Sequence, residues 1–133
     1  MSDESRILAG ILILSLVTVE SGGLYLLRLW RAPGGATPFQ IGFARAGHAH
    51  AGVLLLVGLV SCLLVDQTAL SGFWSWLARS GAPLAAILMP AGFFFSSMGA
   101  GRERPNALVA LVYAGAVLLA VGLTTLGVGL VTA

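Results

Sequence analysis

Both histidines of the chain, His48 and His50, stand two residues apart in Arg45-Ala46-Gly47-His48-Ala49-His50-Ala51-Gly52. This stretch lies within a long apolar run, where ionisable side chains are costly and mark functional positions by default. On a helix turning 100° per residue, positions i and i+2 point about 200° apart. The two imidazoles therefore face nearly opposite sides and cannot chelate one metal as an i, i+4 pair does. They read as two half-sites. Small side chains adjoin each one: Ala44, Ala51 and Gly52 beside His48, and Ala46 and Gly47, then Val53 and Leu54, beside His50. A floor of this kind leaves room for a flat macrocycle, and haem b (iron) is ligated by imidazole in apolar clefts between helices. Copper also accepts imidazole. No third nitrogen or thiolate ligand lies at the same depth, however, so copper alone is under-liganded. The plain alternative is that the histidines only hydrogen-bond neighbouring helices.

With one histidine on each side of the helix, a bis-histidine haem needs its second ligand from another copy of the chain. A contact of His48 on one copy with His50 on the next is heterologous and closes only as a ring. Met98, and less favourably Met89, is the fallback ligand. Haem propionates need cations near the membrane surface, and arginine pairs well with carboxylates. Arg45, Arg102 and Arg104 are the candidates, with lipid phosphate binding or topology signalling as their alternative roles. Glu20 is the one acid well inside a span, at about the depth of the histidines. It could accept a ring N–H from a ligating histidine, handle protons, or pair with an arginine. Tyr25 and Tyr113 read as interfacial or packing residues.

The elements that must position these residues are read from composition. Of 133 residues, 58% are hydrophobic and 9% charged, against about 25% charged in soluble domains. Seven arginines, no lysine and five acids give a net charge of +2, too sparse for a nucleic-acid surface. Cys62 sits alone in an apolar run and reads as a small buried hydrophobe. The N-terminus lacks a basic n-region and a cleavage site, so the first apolar run reads as a retained helix. Four stretches reach the length of about 20 residues that a bilayer demands: about 7–29, 42–65, 74–99 and 107–131. The expectation is a single all-α transmembrane domain over 1–133, an up-down arc or bundle of four helices assembling as a cyclic homo-oligomer.

The connections are short. Loop one, Trp30 to Gln40, holds Pro33-Gly34-Gly35 and Pro38; loop two runs from Asp66 to Gly72; loop three is Gly101 to Asn106. Trp30, Trp74 and Trp76 fall where an aromatic belt belongs. Pro90 is expected to kink the third span. Ala114, Gly115, Ala116, Ala120, Gly122, Gly127 and Gly129 suit close helix packing in the fourth. Arginine counting puts loops one and three in the cytoplasm, unless those arginines bind something anionic.

The stretch Phe43 to Val53 resembles the second-helix region of haem-copper oxidase and nitric oxide reductase catalytic subunits. There an axial haem histidine lies early in a helix, in an R-x-x-H or A-H-A setting. Such a subunit has twelve helices in three four-helix arcs, and one helix carries an H-x-H pair ligating two haems on opposite faces. His48-Ala49-His50 is similar in kind and in position within a four-helix unit. The family also sets an arginine pair against propionates in the loop before its last helix, where this chain has Arg102-Glu103-Arg104. The resemblance implies one unfused arc that trimerises, each interface holding a haem between His48 and His50 of different copies. No copper-site histidine cluster and no H-P-E-V-Y-like segment is present, so reduction of oxygen or nitric oxide at a haem-copper centre is not implied. The family's histidine end faces outside, contrary to the arginine count.

The first functional expectation is a membrane haem b protein passing single electrons, with a quinol or cytochrome as redox partner and a prokaryotic inner membrane as its location. The second is a gas-reactive or quinol-oxidising haem enzyme. The third is a colourless accessory subunit whose histidines join helices.

Overall fold

The computed structural model describes residues 1–31 and 35–133. Its long helices are α1 (Asp3–Arg31), α2 (Pro38–Val65), α3 (Gly72–Ser96) and α4 (Ala110–Val131), the last entered through one 3-10 turn at Ala107–Val109. All four are long and apolar enough to cross a membrane, which makes the chain an integral multi-pass membrane protein. No strand occurs among the described residues.

The helix ends follow local chemistry. Helix α2 begins at Pro38 because Thr37 and Gln40 close a reciprocal capping box, with proline at the first helical position. That pair satisfies backbone donors a helix start would otherwise orphan. The first connection is consequently shorter than expected: α1 continues through Trp30 and Arg31. The expected break at Pro33-Gly34 lies outside the described residues. Helix α3 stops at Ser96, short of the expected limit, ahead of Gly99 at φ +121°. That backbone conformation is one only glycine adopts freely. Pro83 and Pro90 both lie inside α3, and Pro83 packs where α2 narrows at Gly58.

The helices form a row in chain order: α1 packs on α2, α2 on α3 and α3 on α4, with a minor contact between α2 and α4. Helix α3 is the central element, over half buried, while α1 and α4 are each about one-tenth buried. The three tryptophans are exposed, as a lipid-facing belt requires. In lipid there is no water to drive helices together, so close backbone approach has to do it. Along α4, Gly115, Gly122 and Gly129 are buried. Gly122 meets Gly81 so closely that a β-carbon on either would stand within 2.9 Å of the other's Cα. Of the other small residues, Ala114, Ala116, Ala120 and Gly127 are exposed. Cys62 is fully buried.

A polar clamp closes the face opposite loops one and three. Arg79 of α3, buried, lies 3.1 Å from Asp66 at the end of α2. It also donates to the Ser5 hydroxyl of α1 at 2.9 Å. Asp66 in turn accepts from the Ser2 backbone N–H at 2.5 Å and the Ser5 hydroxyl at 3.1 Å. Arg79 is thus no free topology signal, which removes one arginine from the orientation count. Burial pushes the Asp66 carboxyl up, but the Ser2 backbone, the Ser2 and Ser5 hydroxyls and Arg79 outweigh it and hold the pKa at about 2. A lowered carboxylate pKa stabilises the fold above its unfolded value, about 3.9. The contribution is lost only as pH falls through the folded value. Hydrogen exchange at the α1 N-terminus is therefore expected to stay protected from pH 7 down to about 4. Asp66→Asn should weaken it throughout that range, by about 1.5–3 kcal/mol for lost hydrogen bonds to a charged group. Loss of protection with a midpoint near pH 6 would rule the clamp out.

Candidate functional site

The two histidines open to opposite sides of α2. His48 is half-buried and lies along α1 at Gly22 and Gly23. A β-carbon on Gly22 would stand 3.2 Å from its Nδ1, and one on Gly23 would stand 3.6 Å from its Nε2. Glycine in a helix interior costs about 1 kcal/mol relative to alanine, and here two in a row make the space for one imidazole. Beside them lies a cleft of about 580 Å³ bounded by α1, α2 and the end of α3. Small-molecule and cofactor pockets span about 300–1,000 Å³. Gly22 and Ala44, the latter one turn before His48, both line the cleft, as do Tyr25, Phe94 and Met98.

His50 is half-buried on the other side. Its ring lies against Phe93 of α3, centroids 5.0 Å apart, and its Nδ1 is 2.7 Å from the Ala46 carbonyl. With the proton on Nδ1, the ring donates to that carbonyl and Nε2 keeps its lone pair. A backbone carbonyl holding one ring nitrogen is the usual way a metal-ligating imidazole is oriented. Glu20, for which orienting a histidine was one of three open roles, is exposed and does not line the cleft.

The face carrying the cleft is held by side-chain hydrogen bonds as well as by apolar packing. Gln40 donates to the Ser97 and Gly99 carbonyls at 2.9 and 2.7 Å. The Thr37 hydroxyl donates to the Arg102 carbonyl at 2.5 Å. Asn106 donates from its side chain to the Phe95 carbonyl at 3.0 Å. The start of α2, the end of α3 and loop three are thereby fixed together.

The other candidates divide. Arg102 stands at the cleft's edge, its Nε donating to the carbonyl of the lining residue Met98 at 2.8 Å. Met98 is exposed there, whereas Met89 belongs to the core. Arg45 and Arg104 are exposed, and neither lines the cleft. Gly47 is buried tightly on α3, its position for a β-carbon 3.0 Å from the Phe94 ring, so its surface serves helix packing. Ala51 is half-buried, and Tyr113 faces outward on α4. Gly22, Gly23 and Phe93 were not singled out by their sequence context. The pair of glycines directly after Glu20-Ser21, inside an apolar helix, was the available signal.

Among the described residues, no three of His, Cys, Asp and Glu converge as a metal site. A porphyrin brings four nitrogens of its own and asks the protein for two more, one from each side. The two imidazoles lie on different faces of α2, His48 against α1 and His50 against Phe93 of α3, and neither is itself among the residues lining the cleft. No protein family, curated protein or solved structure matches this chain.

Proposed function

We propose that the chain is a membrane haem b protein carrying single electrons, with each haem held between His48 of one copy and His50 of the next. The observation that carries this reading is the opposite placement of the imidazoles. His48 lies in a glycine-made recess of α1 next to the cleft that Gly22 lines, and His50 has Nδ1 against a carbonyl so that Nε2 is left for a ligand.

Haem supplies one-electron chemistry, and two protein ligands leave no open coordination position for a gas. The residues of this chain do the rest. Gly22 and Gly23 admit the His48 ring. Ala46 fixes the tautomer and direction of His50. Phe93, Phe94 and Tyr25 exclude water. Arg102, at the membrane-surface edge of the cleft, offers a guanidinium to a propionate. Sharing between unlike faces makes the assembly a ring, and the haem-copper oxidase resemblance favours three copies, a quinol or cytochrome partner and a prokaryotic inner membrane.

The test is an optical spectrum of the purified protein, oxidised and dithionite-reduced, with haem counted against protein. The chain has two histidines, so about one haem per chain with sharp reduced α and β bands is expected, unchanged by carbon monoxide. Carbon monoxide binding would move the reading to a gas-reactive enzyme. A colourless protein after expression with ample haem would leave the histidines as helix-joining residues.

A further inference from the structure

Two charges well inside the spans, about two turns or more from the helix ends at the cleft's face, remain outside the cleft: Glu20 and Arg45. Glu20 lies near the middle of α1, about 16 Å along the helix from its end at Arg31, at 1.5 Å per residue. Arg45 lies about 10 Å from the start of α2 at Pro38 by the same measure. Both are exposed, and neither has a hydrogen-bond or ion-pair partner among the described residues. By contrast, the other deep charge, Arg79, is fully engaged. A charged side chain facing hydrocarbon is costly wherever it sits in a span. A group of opposite charge would remove that cost for both at once.

We infer that Glu20 of one copy pairs with Arg45 of the next. The charges are opposite, both lie in the half of the membrane that carries the histidines, and their depths differ by only about 6 Å, within the combined reach of an arginine and a glutamate. The packed surfaces of α1 and α2 carry buried residues such as Leu12 and Ala44, whereas Glu20 and Arg45 are exposed, outside that packing. In a ring the copy on one side offers its arginine to Glu20 and the copy on the other side offers its glutamate to Arg45, so each contact joins unlike surfaces. The helix α1, with only Ser5, Ala9 and Leu12 buried, has the uncovered surface to do so. This contact does not depend on haem, and its failure is read separately from the spectrum.

The test is cross-linking between differently tagged chains. In a Cys62→Ala background, one tagged chain carries Glu20→Cys and the other Arg45→Cys. Both are expressed together without added haem, and the membranes are treated with a short bis-maleimide. A product bearing both tags is expected, and it should vanish when Leu63→Cys, exposed at the far end of α2, replaces Arg45→Cys. Native mass spectrometry gives the second readout. Glu20→Gln and Arg45→Gln should each lower the oligomer fraction about tenfold, while Glu20→Arg with Arg45→Glu should restore it. Absence of the doubly tagged product, or an oligomer fraction unmoved by either glutamine variant, would overturn the pairing.

Discussion

His48→Ala and His50→Ala are each expected to strip the protein of haem, and expressing the two variants together is expected to return part of it. Each iron needs one imidazole of each kind, so either deletion removes a ligand from every site. Loss of a mere supporting partner costs about 10–100-fold in metal affinity, and loss of the ligand itself costs more. Rescue on mixing follows from sharing. The His50→Ala chain still offers His48, the His48→Ala chain still offers His50, and an interface joining them in the right order is whole. Random mixing in a ring leaves about a quarter of interfaces complete. The reduced spectrum of the mixture, at equal expression, reads that fraction directly. A haem held inside one chain would give no rescue at all, and that outcome would remove the shared site while leaving the histidines as ligands.

The second large effect is expected from Gly122→Leu. Gly122 and Gly81 meet backbone to backbone, with no room even for a methyl. A leucine must drive α4 off α3. Overpacking in well-fitted cores costs about 1–3 kcal/mol, and here no flexible side chain can yield. The melting temperature in detergent should fall by several degrees, and a cysteine placed in the α3–α4 seam should become open to chemical labelling. Gly127→Leu is the matched control: its β-carbon position meets nothing within 4 Å, so stability should hold. Equal losses of stability from both substitutions would mean that the α3–α4 packing is not what stabilises the protein.

The four spans were legible because apolar runs of membrane length admit few other structures. Their ends were less so. Thr37 and Gln40 spell a capping box, yet the nearby glycines and prolines suggested a longer loop. Within α4 the sequence offered seven small residues and no means to choose among them. The helix is apolar all round, so polarity cannot tell a packed face from a lipid-facing one. The packing register decides: Gly115, Gly122 and Gly129, seven residues apart, are buried, whereas Gly127, equally small but off that register, is exposed. At the site, the opposite aim of His48 and His50 follows from helix geometry alone. What His48 would lie against does not. Gly22 and Gly23 come from a different helix, and their role depends on the register at which α1 crosses α2. The Asp66–Arg79 pair was hidden in the same way, since one residue ends a helix and the other lies a turn or two into the next.

The attachments of α1 are unevenly distributed along its length. At one end Ser2 and Ser5 are fastened to Asp66 and Arg79. Towards the other end its hydroxyls on Ser15, Thr18 and Ser21 bond only carbonyls of their own helix, and the surface turned to His48 is two glycines. Helix α1 is thus cross-linked by polar bonds at one end and held by apolar packing along the rest. The cleft lies beside that second stretch, so on the α1 side its width is set by side-chain packing and not by inter-helix hydrogen bonds.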